Sequence, residues 1–433
     1  MRRSIKGPLY GLIIGLIGGL FGLSTFGADF EKTVGLEWLF NTRGKIKAPS
    51  GSVVIAIDGL TGEKLDMSAL PRDWPRSIHG ELVEALVNLG VSTIVFDIDF
   101  HKQKSPRNEE LFAAAVRQSG RVVMLQLLRN KGQVIEDKTG NKLGNVWVEE
   151  LLSPIPILAQ AARGLAPFPL PKYAAAVHEF WVFKSSAGEV PTLPAVGLQM
   201  RALPAYPQFY RLLGNSGLAN HVKIPESAAH ISSADELRNF MNGIRSALSE
   251  MPKLADKLTL ELKKSWVEDE PEEIQWLLKS LVSMYIGNNE RYLNLYGPPG
   301  TVQTIPYHRI IENHRGNDID ENLNLTNKVV FVGYSDFFDP DQPDKFYTVF
   351  TNRQGIDLSG VEIAATAFAN LLHDQSLHIP GGISRLATLF AFGLLLTLLI
   401  YFTPVFLGVP GATAVVAGYV LYSQLLFNDS YLW

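Results

Sequence analysis

Two stretches of this chain carry no charge: Gly7 to Ala28, and Leu386 to Asn428. A helix needs about 20 apolar residues to cross a bilayer core. The first stretch therefore fits one crossing and the second fits two, broken in "TPVFLGVPG" by Pro404 and Pro410. The expected division is a basic start and membrane helix over 1–28, a large segment over 29–383, and membrane helices over 384–403 and 409–428. Arg2, Arg3 and Lys6 precede the first stretch, while Asp29 and Glu31 follow it. Basic residues stay on the cytoplasmic side, so the N-terminus is expected inside and the large segment outside. No small-x-small cleavage site follows the apolar run, which favours an anchor over a signal peptide. Within that run Gly7, Gly11, Gly15 and Gly19 recur every four residues, with Gly18 and Gly22 as a second pair. Such spacing lets another helix approach closely, either one of the chain's own C-terminal helices or a second copy.

Composition removes several function classes. A net charge of -4 gives no basic face for phosphates, so no nucleic-acid partner is expected. The chain has no cysteine, which excludes a disulfide framework, thiolate chemistry and Cys-type zinc sites.

The large segment reads as α/β. "VVIAID" (53–58) is a buried-type strand. Ser77 is the candidate N-cap of a helix carrying Ile78, Leu82, Ala85, Leu86 and Leu89 on one stripe, and Gly90 ends it. "VSTIVFDIDF" is the next strand, Asn108 the candidate cap of "EELFAAAVRQSG", and "RVVMLQLL" a third strand. That order implies a mostly parallel sheet with right-handed crossovers and helices on both faces. "KVVFVG" (328–333) and "GVEIAATAFANLL" (360–372) are expected to complete it. Between them, at about 209–290, lies a helical insertion. Ser233 and Glu236 form a capping-box pattern there, and a second helix starts at Pro271.

Asp58, Asp97 and Asp99 fall at carboxyl ends of these strands, where open parallel sheets bind ligands. An ionised carboxylate in an apolar setting needs a partner. "RDWPR" offers Arg72 and Arg76 around Trp74, so a structural Asp–Arg pairing stands beside a ligand-facing role for each acid.

These motifs, in this order, resemble the CHASE sensor family of the second type, the cyclase/histidine-kinase-associated sensory extracellular domains. The resemblance rests on "VVIAID", "WPRSIHGELVEALVNLGVSTIVFDIDF" and "NEELFAAAVRQSGRVVML". Later it rests on "YGPPGTVQTIPY", "KVVFVGYSD", "DKFYTVF" and "SGVEIAATAFANLL". It covers about residues 30–383 apart from much of the insertion. It implies the extracytoplasmic input module of a bacterial inner-membrane receptor, responding to a small molecule or environmental signal. A homodimer with a nucleotide cyclase or protein kinase effector is expected, with no catalytic residue, cofactor or metal in this chain. The family's strand-end acids fall on Asp58 and Asp97, its "WPR" on Trp74, Pro75 and Arg76, and its later signature on Gly360, Val361 and Glu362. The expected ligand-facing set is Asp58, Trp74, Arg76, Asp97, Asp99, Tyr296 and Glu362. Two departures stand out: Ala364 occupies the position where the family pattern has His, and the sequence stops at Trp433 before a third C-terminal span or an effector.

Two other classes compete. "DID" suits a metal-dependent hydrolase or transferase, but no Walker loop, G-x-S-x-G elbow or H-E-x-x-H accompanies it. A ligand-free dimerisation scaffold is the third.

Overall fold

The computed structural model describes residues 9–429 apart from 11–12, 14, 22–23, 137–141, 171–175, 265–270, 318–322, 338, 340–341, 343, 352–354 and 379–380. The basic start (1–8) and part of the N-terminal apolar helix thus lie outside the described residues. The chain forms two compact units, one of residues 1–46 with 376–433 and one of 47–375.

The unit of residues 47–375 is built on a six-stranded sheet. Its strands are β1 (Ser52–Ile57), β2 (Thr93–Phe96), β3 (Val122–Leu125), β4 (Gly164–Ala166), β5 (Thr304–Pro306) and β6 (Val329–Tyr334). The spatial order is β5-β1-β6-β2-β3-β4, and every pairing is parallel. The α/β class with a parallel sheet is therefore observed. β6, from late in the chain, is the strand that separates β1 from β2.

Four of the five connections between successive strands move the same way across the sheet, and the long β4-to-β5 connection returns. The right-handed rule then puts the helices of those four connections on one face and those of the return on the other. Indeed α1 (Ser77–Asn88), α2 (Pro106–Ser119) and α6 (Tyr307–His314) share one core. There Ile78, Leu82, Phe112, Val116 and Ile310 meet Val53, Ile55, Phe96, Val122 and Val330 of the sheet. The opposite face is closed by α3 (Leu193–Arg201) and α7 (Gly360–Leu372), which pack on each other and on the central strands. A Cβ on Gly333 would lie 2.8 Å from Val361, and one on Gly164 would lie 2.8 Å from Val196, so both helices sit close on the sheet.

Two helix starts differ from the sequence expectation. Ser77 is the first residue of α1, whose cap position is Arg76. In α2 the cap position is Ser105 and Pro106 takes the first helical place, where its missing N–H costs nothing, so the helix begins before Asn108.

The insertion contains α4 (Ala234–Glu250), a helix at Pro252–Lys264 and α5 (Glu272–Ile286). The Ser233–Glu236 capping box is formed, with the Ser233 N–H donating to Glu236 Oε2 at 3.0 Å. α5 ties to both covering helices: Tyr285 Oη donates to Gln199 Oε1 of α3 at 2.7 Å, and Ser280 Oγ to the Leu372 carbonyl of α7 at 2.6 Å. Helix ends leave carbonyls without intrahelical donors. At the end of α5 two buried guanidiniums supply them. Arg245 Nη1 donates to the Tyr285 and Gly287 carbonyls at 2.6 and 3.0 Å, and Arg291 Nη2 to those of Ser283 and Met284 at 2.7 and 3.2 Å.

The other unit holds α8 (Gly382–Phe402) and α9 (Val405–Asn428). α9 is the one described helix long and apolar enough to cross a membrane, and the apolar stretch of α8 is the shorter Leu386–Phe402. The break falls at Thr403–Pro404 rather than near Gly408, because Pro404 caps α9 while Pro410 is accommodated inside it. The N-terminal helix meets α8: a Cβ on Gly15 would lie 3.1 Å from the Phe390 carbonyl, and one on Gly19 would lie 2.6 Å from Leu386. That part of the glycine stripe packs on the chain's own helix. Beyond Ser24 helix continues to Arg43 through a π turn at Glu31–Gly35.

Replacing Arg245 with Ala strands two carbonyls, and urea denaturation is expected to show a loss of about 2 kcal/mol. Arg245→Lys is expected to recover only part, since the shorter side chain has to carry its ammonium to the place where Nη1 serves both carbonyls.

Candidate functional site

The carboxyl ends of β1, β6 and β2 gather acids from several segments. Adjacent strands lie about 4.8 Å apart, so the ends of β1 and β2, with β6 between, are about 10 Å apart. β1 ends on Asp58, which caps the short helix Gly59–Lys64. Thr61 Oγ1 donates to Asp58 Oδ1 at 2.6 Å, and the next amide, Gly59 N–H, donates to Asp336 Oδ2 at 2.7 Å. Asp336 stands two residues past β6, so the tips of β1 and β6 are joined through its carboxylate.

β2 ends at Phe96, so Asp97 and Asp99 belong to the segment beyond it and not to one continuous strand. The Asp97 N–H still donates to the Val332 carbonyl of β6 at 2.9 Å, which fixes the backbone there. Asp99 is exposed and takes His101 as its partner, with the ring Nδ1 2.5 Å from its carboxylate. Among the described residues no donor reaches the Asp97 carboxyl. Asp97 keeps some exposed surface, yet protein atoms crowd its carboxyl. That loss of hydration, helped by the nearby charge of Asp344, pushes its pKa up to about 8. Burial raises Asp344 too. The two titrate as a pair.

Asp344 belongs to a two-stranded ribbon, Lys345–Phe346 with Leu358–Ser359, that leads into α7. Its carbonyl accepts the Gly360 N–H at 3.0 Å, and its carboxylate lies so close over Gly360 that a Cβ there would be 2.5 Å from Oδ2. Glu362, 3% exposed, closes a capping box with Ser359 and accepts the Gly300 N–H at 2.6 Å. Burial raises its pKa, and these hydrogen bonds oppose the rise. The "GPPG" turn, the ribbon and α7 thus meet through one carboxylate.

The remaining expected residues sit elsewhere. Trp74 is 2% exposed, donates Nε1–H to the Ser68 carbonyl at 2.7 Å, and rests edge-on against Tyr307. Arg76 pairs with no aspartate of the strand ends. Its Nη1 donates to Glu109 Oε1 at 2.9 Å, both side chains are 3% exposed, and its Nη2 reaches the Lys102 carbonyl. The expected Asp–Arg pairing is therefore corrected to Arg76–Glu109. Glu109 lies in the first turn of α2, where it also accepts the Lys104 N–H at 2.6 Å. Tyr296 is buried along α7, its Oη accepting from Asn370 Nδ2 at 2.8 Å. The structure thus brings Asp58, Asp97 and Glu362 to the sheet tips, leaves Asp99 at their rim within electrostatic reach of Arg76, and gives Trp74, Arg76 and Tyr296 hydrogen-bond partners of their own.

Asp336, Asp344 and Glu109 were not singled out by sequence reasoning. "KVVFVGYSD" repeats the strand-then-acid pattern of β1 and β2, so Asp336 carried a usable signal. Asp344 and Glu109 lie at no strand end and follow no spacing. Among the described residues no group of three or more His, Asp or Glu is placed to hold a metal ion. A separate cleft of about 1030 Å³ opens in the insertion between α4 and residues 221–230, with His221, Lys223, His230, Phe240 and Met251 among its walls.

A family model for the CHASE2 domain matches residues 12–400. No curated protein and no solved structure matches the chain.

Removing one partner of a buried ion pair leaves the other charge uncompensated. Arg76→Ala is expected to cost about 3–5 kcal/mol in chemical denaturation, and replacing Arg76 and Glu109 together by Met and Leu to cost far less. A pH prediction follows from Asp97. An acid whose folded pKa is raised lends stability below its unfolded value, and that stability drains as pH climbs from near 3.8 towards about 8. His79, packed among Phe96, Phe100, Phe112 and Tyr307, is pushed down to about 3 by burial and so loses stability in the opposite direction, as pH falls below 6.5. The two are separated by Asp97→Asn. Its melting temperature is expected to fall less than that of the parent between pH 5 and 9. Parallel curves would show that the Asp97 carboxyl is already ionised at pH 5.

Proposed function

The chain belongs to the CHASE2 domain family, whose members are sensory extracellular domains, and from that premise we propose that it is the input module of a bacterial transmembrane receptor of cyclase or kinase type. The match over residues 12–400 carries this reading, because it takes in the α/β unit together with flanking apolar helices. In this proposal the N-terminus is cytoplasmic, the unit of residues 47–375 lies in the periplasm, and the helices over 7–28, α8 and α9 are embedded in the inner membrane. The basic start, with Arg2, Arg3 and Lys6, and the apolar length of α9 support that arrangement. Among the described residues no atom lies within 4 Å of a Cβ placed on Gly18, which leaves room on the N-terminal helix for the same helix of a second copy.

The responsive site in this reading is the ring of strand-end acids, Asp58, Asp97, Asp99 and Glu362, extended by Asp336 and Asp344. A small molecule or ion of positive charge complements it. Trp74 and Arg76 act by holding the loop between β1 and α1, and Tyr296 by holding the segment that runs along α7. Occupancy changes a receptor only if it distinguishes two states of the protein. Here the acids that meet a ligand also fix the first turn of α7, and the chain continues from α7 into α8.

The parent chain has no cysteine, so single introduced cysteines report topology and binding without background. With Ser186→Cys in intact cells, a membrane-impermeant maleimide is expected to label from outside. Labelling only after lysis would place the unit in the cytosol and end the sensory reading. In detergent, a ligand present at 100 times its Kd stabilises by about 2.7 kcal/mol. A screen of small cations is expected to find such a rise in melting temperature, with Asp97→Asn abolishing it.

A further inference from the structure

The helix between the N-terminal apolar segment and the α/β unit leaves large apolar side chains in the open. Phe26 is 68% exposed, Phe30 53%, Val34 50% and Trp38 46%. They recur every four residues. On a regular α-helix of 3.6 residues per turn that spacing winds slowly around the axis. Here Glu31–Gly35 forms a π turn, wider than an α turn, in the middle of the series. The wider turn offsets part of that drift.

The stripe is distinct from the face that packs inside the protein. Leu36, Leu39 and Phe40 are buried, with Phe40 edge-on to Phe427 of α9 at 4.9 Å and Arg43 over both rings. Glu37 and Asn41 are exposed beside the stripe. The helix therefore has a bundle side, a polar side and an aromatic-rich side that stays largely exposed among the described residues. Its charged residues, Asp29, Glu31, Lys32, Glu37 and Arg43, do not suit a bilayer core. An amphipathic helix rich in Phe and Trp suits the boundary between headgroups and acyl chains. The neighbouring surface is of the same kind: α9, which it packs against, exposes Leu421, Tyr422 and Leu425.

We propose that residues 25–43 form an interfacial helix that lies on the outer surface of the membrane, with Phe26, Phe30, Val34 and Trp38 set into the lipid. This rests on the membrane reading above and adds a lipid-bound collar between the first span and the sensory unit.

The test uses the full cysteine-free chain in phosphatidylcholine/phosphatidylglycerol vesicles. An environment-sensitive fluorophore is attached to Phe30→Cys, Val34→Cys, Glu37→Cys or, on α9, Leu421→Cys. Labels at 30 and 34 are expected to be quenched several-fold more by lipids brominated near the headgroup than by iodide in the water, and the label at 37 the reverse. Iodide quenching at 30 and 34 equal to that at 37 overturns the interfacial helix if the label at 421 is still reached by brominated lipid. Should 421 also see only iodide, the membrane reading itself falls. Labels at 30 and 34 shielded from both quenchers, with Val34→Cys forming a disulfide between copies, would assign the stripe to a dimer contact and overturn the proposal.

Discussion

Four crossovers moving the same way leave one face of the parallel sheet bare, and everything else in the α/β unit answers that exposure. A parallel sheet is stable only when both faces are covered. α1, α2 and α6 cover one face as a direct result of chain direction. The other is closed by a helix of the returning β4-to-β5 connection and by the helix that follows β6. α3 and α7 do this, and their close seating on Gly164 and Gly333 shows how little space lies between them and the strands. The insertion then serves as an outer layer, fastened to these two helices by Tyr285 and Ser280. Beside β6 the sheet has neighbouring strand ends that lead to opposite faces, the arrangement that usually opens a crevice. Its tips are instead roofed by the chain's own short segments.

That roof is held largely by carboxylates, and they are not equivalent. Asp58, Asp336 and Glu362 accept hydrogen bonds from hydroxyl or amide donors, so their negative charge has local compensation. Asp97 receives none among the described residues and is crowded by a second acid. Hydrogen bonds favour the charged form of a carboxyl group, while burial and like charge disfavour it. The same residue type at neighbouring strand ends thus meets hydrogen-bond donors in one place and a second acid in another. Arg76, the cation that the sequence offered to these acids, is already committed to Glu109 in the first turn of α2.

Much of this was legible in the sequence where a pattern is local. β1 and β2 show as unbroken apolar runs, α1 and α2 as helical stripes, and the α4 cap as Ser233 with Glu236. The short strands were not: "GLA" at 164–166 and "TIP" at 304–306 are too brief to show a period, and Pro306 argues against a strand until it is seen at the sheet's edge. The cap of α2 was misplaced because Asn108 and Ser105 are both good caps and Pro106 decides between them. For the site, the strand-end acids could be read, but their partners could not. Arg76 meets Glu109 and Asp97 meets Asp344 only after the sheet has assembled, and no spacing encodes either meeting.

The position of β6 has a consequence for how the protein is made. β1 and β2 never bond to each other; the strand that joins them starts at Val329. Synthesis must pass the entire insertion before the central ladder can close, and contacts between such distant residues form slowly. Until then the nascent chain presents two unsatisfied, strongly apolar edges, the kind of surface that chaperones hold and that aggregates when they do not.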